Sequence, residues 1–163
     1  MKLLALLAVS EAGHSKPYMR IFFCPSGCSI NWEVYRNQCI LSRLIPFLDK
    51  HHSDGDYLFW PDLASAHYSQ DTITLFQERN VRFVPKDANP PNTPQLRPIE
   101  DIWLWLKRAV YPNGWEAENI DQLKRRVKKC LREMNWEPVR RVQQDIKGKI
   151  RKVADRGALA VLH

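Results

Sequence analysis

The chain has 163 residues, 44% of them hydrophobic and 10% aromatic, which excludes a disordered composition and fits one domain with a buried core. The formal charge is +7, but residues 119–163 hold 13 Lys/Arg against 5 Asp/Glu, so the whole excess lies in the last quarter. No apolar run reaches the ~20 residues of a membrane span, so a membrane partner is not expected.

Residues 2–9 and 18–23 are predicted to be two strands, joined as a hairpin by the polar turn Ser10 to Lys16. The opening "MKLLALLAVSEAG" also has the look of a secretion signal, but Glu11 spoils the cleavage site, and a strand explains it equally well. Cys24 and Cys28 stand three residues apart in "CPSGCS", with Cys39 and Cys130 elsewhere. No second pair or nearby His completes a zinc site, so all four are read as reduced thiols of an intracellular protein.

Asn31 is placed to cap a helix to about Leu48, with Val34, Leu41, Ile45 and Leu48 at helical spacing and Pro46 expected to kink or shorten its last turn. "HHSDGD" is a loop, and Tyr57 to Trp60 a short buried strand that ends on Pro61-Asp62. Ser69 caps a helix to about Asn80, and "VRFVP" is one more short strand. Residues 86–97 form a proline-rich extended loop, after which Pro98 opens the helix "PIEDIWLWLKRAV". Asn119 and Gln122 make a capping box for a helix to about Met134. A last helix is predicted from about Pro138 to Ala154, with Val139, Val142, Ile146, Ile150 and Val153 on one stripe. Strands alternating with helices predict a mixed α/β sheet covered by helices, with ligands beyond the carboxyl ends of its strands.

Two carboxylates stand out in that frame. Asp62 leaves its strand into "LASAH", where small side chains leave room for a bulky approach. Glu100 and Asp101 lie in the first turn of a helix whose stripe Ile99, Ile102, Trp103, Leu106 and Val110 is needed for the core, so Glu100 sits on the flank. Carboxylates brought together from such positions repel unless a cation separates them, and Mg²⁺ or Mn²⁺ is the natural occupant. Each acid also has an ordinary role: an Asp after a strand makes turns, and a Glu in a first helical turn favours the helix dipole. His67 reads more readily as a helix-entry or packing residue than as a ligand. The C-terminal cations Lys124, Arg125, Lys128, Lys129, Arg132, Lys147, Lys149 and Arg151 suit a phosphate-facing surface or, more plainly, a solvated helical face.

"LFWPDLASAHYS", followed by a proline-rich loop and "PQLRPIEDIWLWLKRAV", resembles the catalytic domain of mariner-type DDE/D transposases. Their pattern is a strand ending in Asp-Asn-Ala-x-x-His, then Pro-x-x-x-Pro-Ile-Glu-x-x-Trp-x-x-Leu-Lys. The resemblance spans about residues 1–112 and implies a ribonuclease-H-like mixed sheet without its first strand. Residues 113–163 are then a basic helical extension. It further implies divalent-metal phosphodiester chemistry on DNA, with Asp62 the second catalytic acid and Glu100 the third, both metal ligands. Leu63 departs from the family's Asn. The family's first Asp lies on a strand before the hairpin, and its DNA-binding domain comes earlier still, so the resemblance is to an N-terminally truncated copy. Glu11, in a turn, does not replace that Asp. Two functions stay open: a nuclease or strand-transfer domain disabled by the missing acid, or a non-catalytic nucleic-acid-binding or protein-interaction module. A strand borrowed from a second copy would make the chain a homo-oligomer.

Overall fold

The computed structural model describes residues 5–10, 20–25, 31–91, 93 and 96–156. The hairpin turn, most of "CPSGCS" and the last seven residues lie outside them. The described residues fall into two compact units, one drawn from Leu4–Leu7 and Phe22–Asn92, the other from Thr93–His163 with Met1–Leu3 and Ala8–Ile21. From residue 22 onward the change of unit falls between 92 and 93, in the proline-rich loop.

The first unit contains the described sheet. Strands β1 (Ala5–Leu6) and β2 (Phe22–Phe23) pair antiparallel, with Ala5 opposite Phe23 and Leu6 opposite Phe22. The segments expected as strands at Tyr57 to Trp60 and "VRFVP" meet at a single parallel bridge, Phe59 to Phe83. Its bonds are Phe59 N–H to the Arg82 carbonyl at 2.8 Å and Val84 N–H to the Phe59 carbonyl at 2.9 Å. Phe76 is wholly buried against that bridge, its ring 5.8 Å from Phe59 and 5.0 Å from Phe83.

Helix α1 starts at the expected cap, where the Asn31 side chain accepts from Val34 N–H at 2.9 Å. It is α-helical over Trp32–Val34, π-helical over Tyr35–Leu44 and α-helical again over Ile45–His51. Pro46 does not shorten it. The ladder upstream has already widened, with Ile45 N–H bonded to the Ile40 carbonyl five residues back. Pro46 therefore falls in the first turn of the closing α segment, where its missing N–H costs little. Buried Tyr35, Cys39, Ile40, Leu44, Phe47 and Leu48 form its inner face. Helix α2 (Gln70–Glu78) is capped by Ser69, as its sequence predicts, and follows a 3₁₀ turn at Ser65–Tyr68.

In the second unit, α3 (Pro98–Val110) packs on α4 (Ile120–Glu133) and α5 (Glu137–Gln144), burying Ile102, Leu106, Val110, Leu123, Leu131 and Val139. The Asn119 side chain accepts from Gln122 N–H at 2.9 Å, while Gln122 reaches back to Glu118 N–H at 2.7 Å, so the capping box is shifted by one residue on its return arm. The single last helix predicted from Pro138 to Ala154 is two helices. Asp145 (φ −80°, ψ −7°) separates α5 from α6 (Ile146–Arg156) and breaks the apolar stripe, leaving Val139 fully buried but Ile150 41% exposed. Among the described residues no helix is long and apolar enough to cross a membrane.

Candidate functional site: an aimed carboxylate and a basic groove

The segment that delivers Asp62 is fixed from below by a buried amide. Asn89, 3% exposed, accepts from the Trp60 indole N–H at 2.9 Å and donates to the Pro61 carbonyl at 2.9 Å and to the Tyr68 hydroxyl at 2.6 Å. The Tyr68 hydroxyl in turn donates to the Val84 carbonyl at 3.1 Å. One side chain thus ties the residue before Asp62 to the 3₁₀ turn and, through Tyr68, to the neighbouring segment. Buried polar groups matched in this way fix one geometry, because any slip leaves donors or acceptors without partners.

The Asp62 carboxylate emerges 64% exposed, yet its orientation is set. Its Oδ1 accepts from Ala64 N–H at 2.8 Å, closing an Asx turn, and lies 3.1 Å from His67 Nε2. His67 is buried and bonded through Nδ1 to the hydroxyl of buried Tyr35, which meets the imidazole edge-on with ring centroids 4.9 Å apart. Burial, helped by the charges of Cys39, Asp62 and Tyr68, holds the Tyr35 hydroxyl protonated far above its ordinary range. The Asp62 carboxylate can only accept, so His67 donates to it through Nε2–H while the Tyr35 hydroxyl engages Nδ1 on the other side of the ring. Thr72 holds the same turn, its hydroxyl donating to the Ala66 carbonyl at 2.7 Å. His67 is thus the packing residue its sequence suggested, and also the group that steadies Asp62.

Glu100 is exposed in the first turn of α3, its N–H bonded to the Arg97 carbonyl at 3.0 Å. It belongs to the second compact unit and Asp62 to the first. Among the described residues no group of three or more His, Cys, Asp or Glu side chains is placed to hold a metal ion. Asp62 Oδ1 is turned toward a backbone N–H and an imidazole N–H, both hydrogen-bond donors.

The basic residues cluster more tightly. Arg125, Lys128, Lys129 and Arg132 are exposed on α4, while Lys124 is half-buried and paired with Asp121 at 3.6 Å. Lys147, Lys149 and Arg151 lie on α6, with Lys147 and Arg151 exposed. Along α4 runs an open groove of about 480 Å³ lined by Trp115, Gln122, Arg125, Arg126, Lys129 and Arg132, among others. Arg126 and Trp115 had not been singled out from sequence. Asn89 and Tyr35 had no signal at all, since their partners lie 28 and 32 residues away.

No family model matches the chain. Over 78 residues it is 30% identical to the Transposable element Tc3 transposase of Caenorhabditis elegans. The matched stretch is 48% of this chain and 23% of that transposase. Part of this chain is therefore related to a transposase.

Proposed function

We propose that this chain is a transposase-derived, nucleic-acid-facing domain of mariner type, with DNA as its partner. Its ribonuclease-H-like character is part of the proposal. In support, an antiparallel pair and a parallel bridge occur together in one compact unit, the two pairings a mixed sheet combines. In the same reading Asp62 and Glu100 are the acids that resemblance assigns to a Mg²⁺ or Mn²⁺ ion, and the basic face of α4 holds the phosphate backbone.

One observation carries the reading. In the stretch that resembles the transposase motif, the carboxylate is held outward by a buried Tyr35–His67 pair, an arrangement a mere turn-forming Asp does not need. In the family this stretch resembles, acids at these positions serve phosphodiester transfer. With Asp62 and Glu100 alone as ligands, divalent-ion binding is weak and the 163-residue chain holds DNA without cutting it. A second reading, a non-catalytic nucleic-acid-binding module, is favoured by the cations of α4.

The test is a labelled DNA duplex incubated with the chain in Mg²⁺ or Mn²⁺, read both for retention on the protein and for cleavage. Retention without cleavage is the expected result. Cleavage abolished by Asp62→Ala would show that the acids suffice for catalysis. Absence of retention at low salt would overturn the nucleic-acid reading altogether.

A further inference from the structure

Helix α4 carries six cations in the nine residues 124–132. Like charges at i,i+4, such as Arg125 with Lys129 and Lys128 with Arg132, each cost a helix roughly 0.2–0.5 kcal/mol. Lys124 pairs with Asp121, which offsets part of that repulsion, and among the described residues Arg125, Lys129 and Arg132 form no ion pair. From Arg125 to Arg132 the helix rises about 10 Å, comparable to three phosphate-to-phosphate steps along one strand.

Arg126 differs from its neighbours. Its guanidinium lies over the Trp115 ring, 4.1 Å from the centroid, and its Nε donates to the Val110 carbonyl at 2.7 Å. Val110 ends α3, and Trp115 follows the short 3₁₀ turn at Pro112–Gly114. An aromatic face and a helix-terminal carbonyl thus fix the plane and direction of this one side chain. Its Nη1 and Nη2 form no hydrogen bond or ion pair among the described residues. Such a guanidinium has lost most of its rotamer freedom before any ligand arrives, and a planar fork suits two oxygens of one phosphate. A lysine can do neither.

The geometry points to Arg126 as the pre-organised phosphate anchor of this groove, with Arg125, Lys129 and Arg132 tracking the phosphodiester backbone of one nucleic-acid strand. The inference rests on the nucleic-acid reading proposed above and names the residue that seats the strand. Because the contacts are to phosphate, the groove accepts single strands and duplexes without sequence preference.

Affinity for a fluorescein-labelled oligonucleotide, as single strand and as duplex, tests this at low salt. Arg126→Lys keeps the charge but loses the fork and the stacking, and is expected to weaken both forms about tenfold, the value of one charge-assisted bidentate contact. Arg108→Lys, a change at an exposed cation of α3 outside the groove, is expected to stay within about twofold. Equal effects at the two positions, or a loss confined to one form of DNA, would overturn the anchor while leaving the general reading intact. No binding by the unaltered chain would remove both. Should Arg126→Lys fail to fold, NMR on the unaltered chain decides. The arginine Nε–Hε resonance that Trp115→Phe displaces should shift on titration with the oligonucleotide and with dimethyl phosphate. A resonance that stays put while other arginines move would contradict the assignment.

Discussion

The two compact units use their polar side chains in opposite directions. In the unit of residues 22–92, Asn89, His67, Tyr35 and Thr72 turn inward and find one another, and what reaches the surface is a single steadied carboxylate. In the unit that follows, the helices bury an almost purely apolar seam and turn their cations outward. Positional precision and field strength are different physical products. The first needs matched hydrogen bonds in a dry interior, where each unmade bond is costly. The second needs only like charges held on a stiff helix, where no single residue is critical unless, like Arg126, it is locked in place.

The inward-turned unit should be broken most severely through its apolar support. Phe76→Ala removes a fully buried ring from beneath the Phe59–Phe83 bridge and should cost about 3–5 kcal/mol in urea unfolding. A loss below about 1 kcal/mol would mean the bridge is not packed on that ring.

Next in size is Asn89→Ala. It strands the Trp60 indole N–H and the Pro61 carbonyl and takes one partner from the Tyr68 hydroxyl, and at about 1–3 kcal/mol per buried unpaired group, water relieving some, a net loss of about 2–4 kcal/mol is expected. An equivalent alanine at exposed Lys129 should change stability by less than about 0.5 kcal/mol. Comparable effects at the two positions would dissolve the contrast between the units.

A smaller effect should come from alkali. Burial pushes the Cys39 thiol up from 9.0 to about 11, against a partial downward pull from Arg43, and raises the Tyr35 hydroxyl further. Both folded groups hold their protons more tightly than the unfolded chain, so their contribution is complete below about pH 9 and fades as pH rises through 9 to 11 and beyond. Urea midpoints measured across that range should fall, and Cys39→Ala should flatten the first part of the fall. A midpoint that rises with pH would reverse the sign of both assignments.

Local signals were legible in the sequence where chemistry is local. The caps at Asn31, Ser69 and Asn119, the helix-opening Pro98 and the exposed flank position of Glu100 depend on residues within one turn. Three features were not legible. The π-helical stretch that carries α1 past Pro46 has no compositional mark. The break at Asp145 interrupts a stripe that the hydrophobic pattern reads as continuous. The clamp on Asp62 joins residues from α1, the 3₁₀ turn and the "DANP" loop, and such pairings at 28 and 32 residues leave no periodic trace. Asp62 itself was visible because a strand ending in a bare acid, followed by small residues, is an unusual local pattern. What steadies it had to be seen in three dimensions.

The salt dependence of DNA binding tests the division of labour most directly. For a labelled duplex, log K plotted against log salt should fall with a slope of about −0.9 per phosphate neutralised. The combined Arg125→Ala, Lys129→Ala, Arg132→Ala variant should lose up to about 3 from the magnitude of that slope, one contact for each cation removed. Asp62→Ala should leave the slope where it was. A slope unchanged by the triple variant, or altered as much by Asp62→Ala, would contradict the assignment of the phosphate-binding role to α4.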